Sequence, residues 1–417
     1  MSPPAAIASQ PSDPARVLSI DLLRGCDVLL MLFVNEVAGV PQAPVFLKHT
    51  PSNADGMTIT DVVFPAFLFI VGMAFPFALG GRLRRGESRG RVLRHVLVRT
   101  SALLAMGVLM LGAEHAASDG LLSPELWNLL MTIAVVLAWS RPAPGKGPWS
   151  ARWRALAVVL LLALVLVYRA DGGRGLIQIR PHWWGILGLI GWAYLVAASI
   201  YLLAGERPAL LAGGIALLYC LYLADEAGQP GWLVSVRSFV NVGRNLGAHA
   251  AVTLSGALLG LLLVRHRREH RAPASLMPSA LGYAAALGSA GLLLHTLAAV
   301  HPAFSINKVM ATAPWCLISS ALTCAAWVGV YALADVYSFR PWPKVIGVAG
   351  ENALLAYFAA PFLLSAFALT AGLLGSANAY DELAQPVWLG LLRSALFAWL
   401  VVFLCGLGRR VGIRLQL

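Results

Sequence analysis

Apolar runs long enough to cross a hydrocarbon core, about 17 to 25 residues each, recur along the whole chain with short polar loops between them. Charged residues make up only 12% of the sequence, whereas a soluble domain carries roughly 25%. The pattern therefore predicts an all-α fold, a polytopic transmembrane bundle of about 12 spans. Because the runs at 153–168 and 208–224 are short, 10 or 11 spans are also possible. The twelve runs begin near Val17, Thr58, His95, Leu121, Trp153, His182, Pro208, Ala248, Ala280, Thr312, Val345 and Val387.

Lysine and arginine concentrate in alternate loops, most densely between Arg82 and Arg99. Such loops are typically cytoplasmic, so an even number of spans predicts both termini in the cytoplasm and the loop with His49 on the outer face. The net charge of +12 does not indicate a nucleic-acid partner, because the basic residues flank apolar spans rather than forming a polar surface. Topology explains most of these residues, and some could bind the phosphates of an anionic cofactor.

Nothing in the sequence marks a separate soluble domain. Residues 1–15 are polar and rich in proline, which predicts a short disordered tail, and residues 16–417 are predicted to form one transmembrane domain. The cysteines lie inside apolar runs and lack metal-ligand spacing. No metal is therefore expected.

The first span carries ionisable residues, which are costly inside a membrane and are functional candidates by default. Asp21, Arg24 and Asn35 fall within roughly 60° of one another on a helix, and Asp27 lies at the edge of that face. The stripe covers roughly 20 Å along the helix axis. We call these four residues the polar lane. Alternatively, these residues have a structural role only, and Arg24 forms salt bridges with Asp21 and Asp27.

The loop between the first two spans brings polar groups together at one boundary. A turn at 53–56 precedes the second span, and Thr58 or Thr60 can cap that helix. Asn35, His49 and Asp61 should then lie at the same outer end. An imidazole, an amide and a carboxylate suit acyl transfer, with proton abstraction, oxyanion stabilisation and orientation as their respective roles. Spacing alone leaves a solvated loop histidine as the alternative.

Further polar residues border later spans. Trp183 begins one span, as an interfacial anchor or as a platform for a sugar ring. Asn307 and Lys308 precede another, either in a solvated loop or as ligands of the acceptor. On the inner side, Arg340 is a candidate for cofactor phosphates, and Asn352 could bind a ligand or bond a neighbouring helix.

Several motifs together resemble the heparan-alpha-glucosaminide N-acetyltransferase family and its bacterial relatives. The first block contains R-x-L-S-I-D-L-L-R-G at 16–25, F-V-N at 33–35, F-L-K-H at 46–49 and D-G-M-T-I-T-D-V-V-F-P-A-F-L-F-I-V-G at 55–72. The second contains S-I-N-K at 305–308, Trp315, Y-A-L-A-D-V at 331–336 and G-x-N-A-L-L-A-Y at 350–357. The blocks follow the order of the family's motifs.

The resemblance implies transfer of acetyl from cytosolic acetyl-CoA to the amino group of a glucosamine unit. It maps the acting histidine to His49 and the motif asparagine to Asn35. Asp61, Asn307, Lys308 and Trp183 are then candidates for acceptor binding, and Arg24, Arg340 and Asn352 are candidates for acetyl-CoA binding. Both an acetyl-histidine intermediate and direct transfer remain open.

The chain departs from the lysosomal pattern in three ways. It lacks the large lumenal N-terminal part, its interval from His49 to Asp61 is longer, and its 114–170 region adds two helices, as in bacterial members. We therefore expect free glucosamine or a short amino-sugar as acceptor, and a bacterial inner membrane with its lipid as the environment. A homodimer is possible. The alternatives are a sugar permease, which also suits a bundle with a polar lane, and an O-acetyltransferase of a cell-envelope glycan.

Overall fold

A computed structural model describes residues 17–140, 151–173, 175, 177–181, 183–339, 344–410 and 412–415. The predicted tail at 1–15 and the candidate cofactor ligand Arg340 lie outside the described residues. Within them the chain is helical, and its only bridges between extended residues are two isolated pairs. The predicted all-α class is confirmed.

Twelve principal helices follow one another along the chain, one in each predicted apolar run. In chain order they are α1 Leu18–Val37, α2 Ile59–Arg84, α3 Arg89–Glu114, α4 Pro124–Trp139, α5 Ala151–Val167, α6 Gly185–Ala204, α7 Pro208–Glu226, α8 Val242–Arg268, α9 Pro273–His295, α10 Ala313–Val336, α11 Ala353–Leu374 and α12 Val387–Arg410.

Nine of these helices, counted over the described residues, are long and apolar enough to cross a membrane. The other three are α1, α4 and α5. Helix α1 has sufficient length, but it carries the polar lane and Glu36, whereas α4 has 16 residues and α5 has 17. Helices α4 and α5 lie in the 114–170 region, where the sequence predicts two additional helices.

Helix α8 lies at the centre of the bundle and packs closely against α2. Its most apolar stretch is 94% buried, the highest value among the nine. Glycines make this contact possible, because a Cβ atom on Gly72 would lie 1.7 Å from the Thr253 carbonyl oxygen, and one on Gly256 would lie 1.9 Å from that of Phe69. A third, on Gly260, would lie 2.3 Å from the Met73 oxygen. Small residues allow membrane helices to approach to this distance.

Helix α1 packs against α2, α12 and a short helix, Lys344–Glu351, that precedes α11. The contact with the short helix is also close, since a Cβ atom on Gly350 would lie 2.1 Å from the Asp21 carbonyl oxygen. The backbone of Asn352, between this short helix and α11, departs from the helical conformation, with φ −124° and ψ 37°. The polar lane is therefore held between α2 and the C-terminal part of the chain.

Replacing Gly256 by alanine should destabilise the bundle, because the added methyl group has no space between α8 and α2. Overpacking of this kind costs about 1–3 kcal/mol. Thermal unfolding of the purified protein in detergent would measure the loss as a lower apparent Tm. Gly282→Ala is the matched control, since Gly282 lies in α9 with no atom within 4 Å of the added Cβ and alanine favours a helix. An equal Tm for the two variants would contradict the packing argument.

Candidate functional site

Two loops far apart in sequence are joined at one end of the bundle, which we call the His49 end. The Asn307 side chain donates to the carbonyl oxygens of Ser52, at 2.7 Å, and Ala54, at 3.1 Å. Asp55 accepts a hydrogen bond from the Ile306 amide at 2.7 Å. These bonds place Lys308 beside the loop that carries His49.

Asp61 organises the loop before α2. Its side chain is fully buried, and it accepts hydrogen bonds from the backbone amides of Thr50, at 3.1 Å, and Thr58, at 3.0 Å. Thr58 is the residue that caps the helix, one of the two predicted. Because a buried carboxylate needs several donors to offset its loss of hydration, the loop closes around Asp61.

His49 completes this arrangement. Its Nδ1 atom lies 2.8 Å from Asp61 Oδ1, and its ring is half-exposed. The carboxylate accepts but cannot donate, so it favours the tautomer with a proton on Nδ1 and a lone pair on Nε2. The longer interval between the two residues therefore does not prevent their contact.

Lys308 brings a cation to the same imidazole. Its Nζ atom lies 2.9 Å from Nδ1 and 3.1 Å from Nε2 of His49, and 3.8 Å from Asp61 Oδ1. Burial lowers the pKa of the Lys308 ammonium, and the carboxylate of Asp61 acts in the opposite direction. Histidine, lysine and aspartate thus form one electrostatic unit.

A cavity of about 470 Å³ runs from this unit into the bundle. We call it the tunnel. It follows α2 from Thr60 to Arg82, a distance of roughly 30 Å at about 1.5 Å per residue, which is close to the thickness of a hydrocarbon core. His49, Lys308 and Asn35 line it at one end. Its middle is apolar, with Phe64, Phe67, Val71, Leu187 and Ile190 among the lining residues.

The opposite end of the tunnel, which we call the Arg24 end, is rich in basic groups. Arg24, Arg82, His95 and Arg99 line it. The Arg99 guanidinium stacks 4.8 Å from the centre of the Tyr194 ring, and its Nε atom is buried without a hydrogen-bond partner in the described part of the chain. Cations in a partly dehydrated cavity attract anions strongly.

The polar lane differs from its prediction in one respect. Arg24, Asp27 and Asn35 line the tunnel, whereas Asp21 does not and instead accepts a hydrogen bond from Arg24 at 3.4 Å. Asp27 thus faces the tunnel although the helical projection places it at the edge. The rotation of α1 is set by its close contact with the short helix at Gly350, which the projection does not include.

Two predicted acceptor ligands lie outside the tunnel lining. Asn307 is buried, and its side chain is occupied by Ser52, Ala54 and the Met310 amide. It therefore supports the loop junction, and a contact with the acceptor stays a prediction. Trp183 lies near the start of α6 and is 46% exposed. It is not among the described residues that line the tunnel.

Asn352 hydrogen-bonds the C-terminal segment. Its Oδ1 accepts from the Leu415 amide at 3.0 Å, and its Nδ2 donates to the Ile413 oxygen at 3.3 Å. Leu415 in turn lines the tunnel. Asn352 thus bonds the non-helical segment after α12 rather than a neighbouring helix, and its role in cofactor binding stays a prediction.

Sequence reasoning missed several tunnel residues. The sequence places Arg82 and Arg99 in a basic loop, some of whose residues could bind cofactor phosphates, but it does not single them out. It gives His95 only as the start of a span and Thr60 only as a possible cap. Thr60 lines the tunnel, and its buried hydroxyl has no hydrogen-bond partner among the residues that the structure describes. The positions of Arg82, His95 and Arg99 near the ends of two apolar runs could have indicated a basic site. They do not show which of these side chains point into the bundle.

Neutralising Asp61 should lower the pKa of Lys308 further, because the carboxylate is the group that raises it. More of the amine is then unprotonated at a given pH, so Asp61→Asn should speed acylation of Lys308 by acetic anhydride. A threefold increase corresponds to roughly half a pKa unit. Isotope-coded labelling with mass spectrometry measures the rate. Asp119→Asn, at an exposed loop carboxylate, is the control, and slower labelling of Lys308 in Asp61→Asn would refute the coupling.

Comparison with known proteins supports the motif resemblance over the N-terminal part of the chain. Residues 16–172 match the family model described as heparan-alpha-glucosaminide N-acetyltransferase, catalytic. The proteins named heparan-alpha-glucosaminide N-acetyltransferase from Homo sapiens and Mus musculus are 32% identical over 115 residues and 31% identical over 117 residues.

Each of these alignments covers 28% of this chain and 16% of the relative, so the aligned part spans about a sixth of each relative's length. The matched region contains α1 to α5 with Asn35, His49 and Asp61, whereas Lys308 comes from outside it. The resemblance to the heparan-alpha-glucosaminide N-acetyltransferase family, inferred from the motifs, is thus confirmed, and residues 16–172 resemble the catalytic part of that family.

Proposed function

We propose that this protein is a transmembrane acetyltransferase that moves acetyl from acetyl-CoA to the amino group of glucosamine or a related amino-sugar. The observation that carries the proposal is the tunnel, which connects basic residues at the Arg24 end to His49 at the other end. A donor entering from one side of a membrane could thereby meet an acceptor on the other side. The match to the family's catalytic region supports the same chemistry.

The tunnel suits the elongated shape and charge of the donor. The phosphates of acetyl-CoA would bind the guanidinium groups of Arg24, Arg82 and Arg99, which form strong hydrogen bonds with phosphate. The pantetheine arm would occupy the apolar middle, and its thioester would reach Asn35 and His49. The volume of about 470 Å³ fits the arm, with the nucleotide left at the basic mouth.

The geometry at the His49 end suits general base catalysis. Asp61 holds the proton on Nδ1, so Nε2 can accept a proton from the attacking amine. Nitrogen then bonds to the acetyl carbon while the carbon–sulfur bond breaks, and the proton held on Nε2 can pass to the leaving sulfur. The products are the amide and free CoA thiol. An acetyl-histidine intermediate would use the same Nε2 atom as its nucleophile.

The developing negative charge on the carbonyl oxygen needs donors. The Asn35 amide lines the tunnel, and the Lys308 ammonium lies 3.1 Å from His49 Nε2. Both could stabilise an oxyanion formed beside that nitrogen. Asp61 already accepts hydrogen bonds from Thr50, Thr58 and His49, so we assign it to orienting the histidine rather than to holding the acceptor.

The orientation follows from the distribution of lysine and arginine. We place the Arg24 end on the cytoplasmic side of a bacterial inner membrane, where acetyl-CoA is made, and the His49 end on the outer side. The acceptor is then an amino-sugar outside the cell membrane. Lys308 at the site disfavours a cationic acceptor, so the sugar amine would react in its neutral form.

Replacing His49 by alanine should lower kcat by about 10³-fold, since the general base is lost. Release of thiol from acetyl-CoA in the presence of glucosamine, recorded with purified protein in detergent, measures the rate. His301→Ala is the matched control, because His301 lies in a loop at the same end, bonds only the Ala303 amide in the described contacts and does not line the tunnel.

Several acceptors tested in the same assay would separate the rival functions. Turnover with a hydroxyl acceptor alone would favour an O-acetyltransferase. No turnover with any amino-sugar, combined with uptake of sugar into vesicles that lack acetyl-CoA, would refute the acetyltransferase proposal and favour a permease.

Arg99→Gln should raise KM for acetyl-CoA about tenfold and change kcat little, because the guanidinium would bind phosphate rather than the reacting atoms. KM for acetyl-pantetheine, which has no phosphate, should stay constant. Arg94→Gln is the control, since Arg94 lies one turn away on α3, is exposed and does not line the tunnel. A similar rise in KM for both donors would argue against phosphate binding at Arg99.

A further inference from the structure

Asp27 is a carboxylate in the wall of the tunnel that the proposed mechanism does not use. The residue is 8% exposed, and its Oδ2 atom is buried with no hydrogen-bond partner among the described residues. Its neighbour Arg24 bonds Asp21 and the Gly350 carbonyl oxygen. An acceptor that is buried without a donor is costly, most of all inside a membrane. The tunnel wall therefore presents a buried acceptor to a hydrogen-bond donor that enters the tunnel.

The position of Asp27 along α1 indicates which part of a donor substrate would lie beside it. On the helix axis it lies about 4.5 Å from Arg24 and about 12 Å from Asn35, at about 1.5 Å per residue. It is therefore much closer to the basic end of the tunnel than to the reacting end. Apolar residues line the tunnel between Asp27 and Asn35, among them Met31 and Val34.

We propose that Asp27 is a positioning residue that recognises the pantoyl part of the acyl donor. This inference rests on the proposed function. In a phosphopantetheine thioester the pantoyl group carries a hydroxyl and is joined to an amide N–H, both close to the phosphate end of the arm. These are the donors that a carboxyl oxygen one helical turn from a phosphate-binding arginine would meet. The remaining, largely apolar arm would then extend along Met31 and Val34 to the thioester.

This arrangement gives the tunnel a second means of selection besides charge. Arg24, Arg82 and Arg99 would bind any phosphate, whereas Asp27 presents a carboxyl oxygen that accepts hydrogen bonds. A donor must therefore present its phosphate at the arginines and hydrogen-bond donors immediately beyond. Phosphopantetheine thioesters meet both conditions, and simple acyl phosphates do not. Asp27 would thus fix how far the thioester extends toward His49.

Three donors of decreasing length test the inference. Acetyl-CoA and acetyl-pantetheine contain the pantoyl group, whereas S-acetyl-N-acetylcysteamine keeps the thioester and one amide but lacks it. Asp27→Leu should raise KM about tenfold for the first two donors, the loss expected for a hydrogen bond to a charged group. For the shortest donor, kcat/KM should be unchanged. Asp27→Asn keeps one acceptor oxygen and should give a smaller loss with the same donor pattern.

Cys26→Ala is the matched control, because Cys26 is adjacent on α1 but does not line the tunnel. It should leave the preference among the three donors unchanged. If Asp27→Leu does not fold, Asp27→Asn serves as the test. The inference then requires that the ratio of KM for the two long donors to KM for the short donor rises above its wild-type value.

An equal loss with all three donors would overturn the inference, since a purely structural aspartate affects every donor alike. No loss with any donor would overturn it as well. A wild-type protein that transfers acetyl from none of the donors would instead refute the proposed function, and with it the role of Asp27. The two failures are therefore distinguishable.

Discussion

The fully buried carboxylate of Asp61 is the interaction on which the candidate site depends. A charge removed from water requires compensating donors, and the chain supplies them from Thr50, Thr58 and His49. Satisfying Asp61 closes the loop before α2 and fixes the tautomer of the imidazole. The same carboxylate lies 3.8 Å from Lys308, so it also holds a cation beside the histidine. One buried charge thus sets the loop conformation, the proton position and the local field.

Under the proposed function, the bundle lets an acyl donor on one side of the membrane react with an acceptor on the other side. A charged cofactor cannot cross a hydrocarbon core at low cost, but an elongated one can extend through a protein-lined passage. Close packing of α2 on α8 at Gly72, Gly256 and Gly260 leaves the opposite side of α2 free to line the tunnel. The basic groups lie at one mouth and His49 at the other, with apolar walls between them.

Under the proposed function, the protein selects its acyl donor by a series of contacts along the tunnel rather than by one binding pocket. Under the proposed function, Arg99 and its neighbours bind phosphate, Asp27 accepts hydrogen bonds from the pantoyl group, and His49 acts on the amine. Each contact is of ordinary strength, but together they fix the distance between the anchored end of the donor and its reacting end. Proximity of this kind is a large part of catalysis. Asp27 Oδ2, Thr60 Oγ1 and Arg99 Nε are buried atoms without a hydrogen-bond partner among the described residues, and under the proposed function a donor substrate could bond them.

The sequence by itself determined the helical class, the positions of the twelve helices, and the placement of Asn35, His49 and Asp61 at one end, because hydropathy and short loops constrain each of these locally. It also gave Lys308 as a possible acceptor ligand, with a solvated loop as the alternative, but it did not place Lys308 against His49. Tertiary structure decided the rest. The Asn307 bonds that bring Lys308 to His49 join loops more than 250 residues apart, and the inward turn of Asp27, Arg82 and Arg99 depends on how each helix is rotated against its neighbours. Periodicity defines the faces of a helix, but only close packing, as at Gly350 on α1, decides which face meets the tunnel.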